Sequence, residues 1–210
     1  MNRKLMLAMA VAFIISFLIG LEVNASRFKT EHIADVINTE TSDINDVKLN
    51  MKPIAQRWIM YHVSNGYTFK VENIDYNLRD MYISYKKIID YHSIGENELP
   101  FVWLSAMMFV ESKGDPMVRG SQGEYGLFQT LPVISKIDAL KSAGLIKRVE
   151  DLQDPPTSCA VATYTMCYML KSQGTLDKAT KFYNAGNIRG TAGTAYLKKV
   201  KKEFEVLSNG

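Results

Sequence analysis

Apolar positions recur at helical spacing along most of the chain beyond residue 50. From Met51 to Val63, Ile54, Trp58, Ile59 and His62-Val63 predict a short amphipathic helix that Ser64-Asn65-Gly66 ends, read as a cap on whatever follows. Leu78 to Tyr91 carries Met81, Ile83, Tyr85, Ile88 and Ile89 on an approximate stripe, and a loop from Gly95 to Pro100 follows. The run after Pro100, as far as Val110, is almost wholly apolar, which predicts a mostly buried helix. Further helices are expected over Ile134 to Ala143, stopped by Gly144, over Cys159 to Leu170 and over Leu176 to Tyr183. A last one runs from about Ala195 to Leu207. Pro155 and Pro156 stand where the apolar Cys159 helix should begin, a position that tolerates a missing N–H. Only Tyr67 to Val71 and Tyr125-Gly126-Leu127 hint at strands. The fold class is therefore mainly α, with at most a small β-element.

The N-terminus follows another pattern. Leu5 to Leu21 holds no charge, with Arg3 and Lys4 before it and Glu22 after it. It is either an export signal or a membrane anchor, and both send the remainder across the membrane. Its length favours an anchor, whereas Val23-Asn24-Ala25 matches the small-residue pattern before a cleavage site. Residues 26–49 are polar and without apolar period, as in a spacer. The expected organisation is residues 1–25 as signal peptide or signal-anchor helix, 26–74 as spacer with a short amphipathic helix, and 75–210 as the principal domain.

Composition removes several function classes. Twenty-five basic against 22 acidic residues leave a net charge of +3, enough to favour an anionic polymer, and no basic stripe marks a nucleic-acid binder. Cys159 and Cys167 fall in one predicted helix, about 12 Å apart at the helical rise, beyond disulfide reach. His32, His62 and His92 have no ligand spacing with each other or with the cysteines, so neither a metal nor another cofactor is expected.

Candidate chemistry centres on Glu111, which ends the apolar run and precedes Ser112-Lys113-Gly114-Asp115-Pro116. A carboxyl at the end of a buried helix is partly withdrawn from water, which raises its pKa and keeps its proton available for donation. Protonating a glycosidic oxygen requires such an acid. The plainer alternative is a solvated helix end.

Three blocks in order then carry a resemblance. They are Glu111-Ser112 with Pro116 and Val118; Gly123 and Gly126-Leu127-Phe128-Gln129 with Pro132; and Phe182-Tyr183-Asn184-Ala185-Gly186. Over this span the chain resembles the soluble lytic transglycosylases, which share a lysozyme-like fold with goose-type lysozymes. The resemblance implies a lysozyme-like α-helical domain acting on peptidoglycan glycan strands, with Glu111 as catalytic acid and Ser112, Ser121, Gln129, Tyr183 and Asn184 as substrate-binding residues. It also implies a single-carboxylate route: Glu111 protonates the bond between N-acetylmuramic acid and N-acetylglucosamine, then accepts the proton of the muramoyl 6-hydroxyl, leaving a 1,6-anhydro end. Tyr183 would direct its hydroxyl toward Glu111. Gly186 also suits an ordinary left-handed helix cap. Tyr125, Phe128 and Tyr183 are sugar-stacking candidates, with core packing the favoured alternative for Phe128.

The chain departs from the family pattern at Gly120, where serine is usual and Ser121 is displaced by one, at Val118, and at Glu124, which replaces an alanine. Glu124 and Asp115 are thus the alternatives for a second carboxylate, as in a hydrolytic muramidase. A catalytically idle glycan-binding scaffold is the remaining alternative. Expected surroundings are the cell envelope on the periplasmic side of the inner membrane, with membrane contact through the N-terminal helix and a secretion, appendage or phage assembly as partner.

Overall fold

The structure is a computed structural model and describes residues 51–66 and 73–209. The hydrophobic segment Leu5 to Leu21, the spacer 26–49 and the possible strand Tyr67 to Val71 lie outside the described residues. Among the described residues the fold is mainly α, as the periodicity predicts, with no helix long and apolar enough to cross a membrane.

Helix α1, Lys52–Asn65, has a proline in its first turn and closes on Gly66 in the left-handed conformation, whose N–H donates to the His62 carbonyl. Helix α2, Ile74–Tyr91, starts four residues before the sequence stripe becomes evident and buries Leu78, Met81, Tyr85, Ile88 and Ile89. Helix α3, Phe101–Ser112, is the central element. Nine of its twelve residues are buried, which explains an apolar run with no polar face.

Helix α4, Ile134–Ser142, is short. A 3-10 turn, Val149–Gln153, then leads to α5, Pro155–Gln173. The Asp154 side chain accepts from the Thr157 N–H and caps α5, while Pro155 fills the first position, where no backbone donor is needed. Helix α6, Leu176–Ala185, is capped by Thr175, and α7, Thr191–Ser208, completes the fold. The last helix begins four residues before Ala195, and Gly193 in its first turn allows close approach to α6: an added Cβ there would lie 2.8 Å from the Lys181 carbonyl.

Helix α2 packs along α5, α3 along α7, and α6 against both α5 and α7. Among the described residues the expected β-element is reduced to two isolated bridges, Arg119 with Tyr125 and Tyr125 with Thr130. Gly126 at φ +71° turns the backbone back immediately after Tyr125, so no strand can extend. Both cysteines are free and buried, and burial pushes each thiol up to about 12, which makes them inert packing groups.

Helix α1 is tied to the turn that follows α3. Trp58 is fully buried and its indole N–H donates to the Gly114 carbonyl at 2.6 Å. Beside it, Arg57 pairs with Glu203 of α7 through bonds of 2.6 and 2.9 Å and donates to the Tyr61 hydroxyl. Such a bidentate pair fixes orientation better than a single point contact.

Candidate active site

Glu111 occupies the last turn of α3, which ends at Lys113 in the left-handed conformation. Its carboxyl lines a cleft of about 350 Å³ bounded by the turns after α3, the start of α4, and parts of α5 and α6. Burial is the main reason its pKa is raised to about 7, and the charge of Glu124 raises it further. The Tyr196 hydroxyl and the Lys199 ammonium act in the opposite direction. The C-terminal end of a helix adds partial negative charge at this point, so the position is intrinsically hostile to a carboxylate. At neutral pH the acid and its conjugate base are both appreciably populated, which suits a group that must give a proton and take one back.

The sequence-predicted residues divide into two sets. Glu111, Gln129, Tyr183 and Asn184 all line the cleft. Asn184 is exposed, with its amide open to a ligand. Tyr183 places its hydroxyl near Glu111 electrostatically, and donates it to the Phe128 carbonyl at 2.9 Å, thereby tying α6 to the glycine-rich turn. Gln129 adopts φ +45° and spends its amide N–H groups on the Val118 and Gly126 carbonyls at 3.2 and 2.9 Å. Its side-chain oxygen is left as the group able to accept from a sugar hydroxyl or amide.

Ser112 and Ser121 are placed elsewhere. Ser112 is buried, donates to the Met108 carbonyl and accepts from the Gly114 N–H, so it organises the turn behind Glu111. Ser121 is exposed and outside the cleft lining, where its neighbour Gln122 stands instead. Among the aromatic candidates, Phe128 is a core residue and Tyr125 carries the Arg119 guanidinium over its ring at 4.5 Å.

The two alternative carboxylates also separate. Asp115 accepts from the Met117 N–H at 2.8 Å in a turn and does not line the cleft. Glu124 does line it, and accepts from the Gln122 N–H at 3.0 Å. The Glu124 carboxylate lies over Gly120, where an added Cβ would meet it unless the glutamate side chain moved. Replacing Glu124 by Gln removes a negative charge acting on Glu111, so Glu111 should ionise at lower pH. The alkaline limb of the kcat/KM profile is expected to move down by less than about one pH unit, with the protein fold unchanged.

Tyr196 is the site residue that sequence reasoning did not single out. It lies on α7, is buried, and its hydroxyl has no partner of strict hydrogen-bond geometry among the described residues, yet it lies close enough to Glu111 to favour the ionised carboxylate. The available signal was one tyrosine on the apolar stripe Tyr196, Leu197, Val200 and Leu207 of an otherwise lysine-rich helix.

The chain belongs to the transglycosylase SLT domain family, whose model matches residues 93–205. The match begins after α2 and runs from the end of that helix to near the end of α7, so it contains the whole cleft. No curated protein and no solved structure matches the chain. Membership supports, in general terms, a lytic-transglycosylase type of function directed at peptidoglycan.

Proposed function

We propose that the protein cleaves peptidoglycan strands as a lytic transglycosylase, with Glu111 serving first as acid and then as base. The observation that carries this reading is the Glu111 carboxyl, set at the end of a buried helix inside the cleft with a pKa near 7. Its proton goes to the oxygen linking N-acetylmuramic acid to N-acetylglucosamine, and the bond from the muramoyl C1 to that oxygen breaks. The carboxylate then takes the proton of the muramoyl 6-hydroxyl as that oxygen bonds to C1. Glu111 ends protonated, no water is consumed, and the 1,6-anhydro ring closes. An intramolecular nucleophile needs positioning more than activation, which matches a cleft whose other polar groups are mainly amides and hydroxyls.

One observation favours a second reading. Glu124 lines the same cleft, and a second carboxylate able to hold a water is what a hydrolytic muramidase needs. Mass spectrometry of fragments released from purified peptidoglycan separates the two. Products about 18 mass units lighter than reducing muropeptides, absent with Glu111→Gln, support the transglycosylase, because that difference is the water not added. Reducing ends support the muramidase. Binding without cleavage by folded wild-type protein supports a glycan scaffold.

Export belongs to the same proposal. The uncharged Leu5 to Leu21 segment behind Arg3 and Lys4 supports delivery to the envelope, as a cleaved signal or a retained anchor, where the spacer 26–49 gives the domain reach into the wall. A role in local wall opening for a secretion, appendage or phage assembly accords with that placement.

A further inference from the structure

Lys136 belongs to α4, and its side chain lines the same cleft as Glu111. Lys136 is half-buried in the cleft wall, and this partial withdrawal from water holds its pKa down to about 8, so it is mostly protonated at neutral pH. No hydrogen bond or ion pair engages it among the described residues. Desolvation is the sole cause of its shift, and the cation that acts on Glu111 is Lys199 rather than Lys136. Lys136 therefore pairs with neither carboxylate of the cleft that it shares with Glu111 and Glu124.

A cation partly withdrawn from water without a counter-charge is held at a cost. A ligand that brings an anion removes that cost. A neutral N-acetylglucosamine polymer has none to bring, whereas every second sugar of peptidoglycan carries a lactyl ether. That ether ends in a free carboxylate, or in a peptide that bears carboxylates of its own.

Resting on the proposed action on peptidoglycan, we propose that Lys136 forms an anion subsite of the cleft, which binds a carboxylate on the muramoyl substituent and selects acidic strands over neutral ones. Lys136 is then a specificity-determining residue, separate from the bond-breaking step.

The test measures binding by calorimetry in the cleavage-deficient Glu111→Gln background of the full chain in detergent. It compares three glycans: peptide-bearing strands, peptide-stripped strands with free lactyl carboxylates, and stripped strands whose lactyl groups have been amidated to neutrality. Adding Lys136→Met should weaken binding of acidic strands about tenfold and leave the neutral strands unchanged, while Lys136→Arg restores most of the affinity. A loss confined to peptide-bearing strands assigns the anion to the peptide, and a loss that extends to stripped strands assigns it to the lactyl group. Equal loss on the neutral strands, or no loss on any, overturns the subsite. Lys136→Gln provides a second neutral variant should the methionine protein fail to fold. Because cleavage is not read, a wild-type protein that binds but does not cut counts against the proposed function and leaves this inference standing or falling by itself.

Discussion

Replacing Glu111 by Gln should reduce peptidoglycan cleavage by about 10²–10⁴-fold while leaving a folded, glycan-binding protein. The amide keeps the size of the side chain and can neither donate a proton to the glycosidic oxygen nor accept one from a hydroxyl. The same substitution should change stability with a definite sign. The folded-state pKa of about 7 lies above the ordinary 4.5, so between these values the native protein binds more protons than the unfolded chain. Stability from this group is thus present below about pH 4.5, falls as pH rises, and is lost above about pH 7. Glu111→Gln removes that penalty. The variant should match wild type in thermal unfolding at pH 4 and exceed it at pH 8 by at most about 3 kcal/mol. An inactive variant that is more stable at alkaline pH distinguishes loss of chemistry from loss of fold, and equal stabilisation at both pH values contradicts the assignment.

Trp58→Ala should be the most destabilising single change, although Trp58 precedes the family-matched segment by more than thirty residues. Emptying the volume of a fully buried indole costs about 3–5 kcal/mol. The Gly114 carbonyl also loses its 2.6 Å donor, a further penalty of about 1–3 kcal/mol wherever water cannot replace it. Gly114 packs so closely on the indole that a Cβ there would lie 2.6 Å from the ring nitrogen, so tryptophan and glycine fit as a pair. This pair sits three residues beyond Glu111, in a turn that Ser112 also braces. Trp58→Phe retains most of the apolar volume and should cost about 1–2 kcal/mol, with a fall in kcat larger than any change in KM. Chemical denaturation of the two variants checks the order. Little loss in either would show that α1 is dispensable to the domain.

What was legible in the sequence depended on locality. An apolar run without a polar face announces a buried helix, and α3 is one. Gly66, Gly174 and Gly186 each stop a helix in the left-handed conformation, a constraint written within a few residues. The position of Glu111 was equally readable, because helix end and burial are both local. Contacts between distant segments were not. Tyr196 reaches Glu111 only because α7 packs along α3, and Trp58 reaches Gly114 only because α1 folds back over the turn. Ser112 and Gln129 show the same limit in finer detail. Their residue types announce hydrogen-bonding capacity, but whether a hydroxyl or amide faces a ligand or the backbone depends on turn geometry, here the left-handed Lys113 and Gln129. Lys136 gave no signal because a lysine in a short helix is ordinarily solvated, and its partial burial comes from the assembled cleft.

The most direct measurement is the ionisation of Glu111 itself, followed by carboxyl carbon-13 NMR across pH 3–10 and assigned by the resonance that disappears in Glu111→Gln. A midpoint near 7, moving lower in Glu124→Gln, is the expected result. A midpoint near the ordinary 4.5, unmoved by that substitution, would mean a solvated helix-end glutamate with no proton to give at neutral pH, and would contradict Glu111 as the acid.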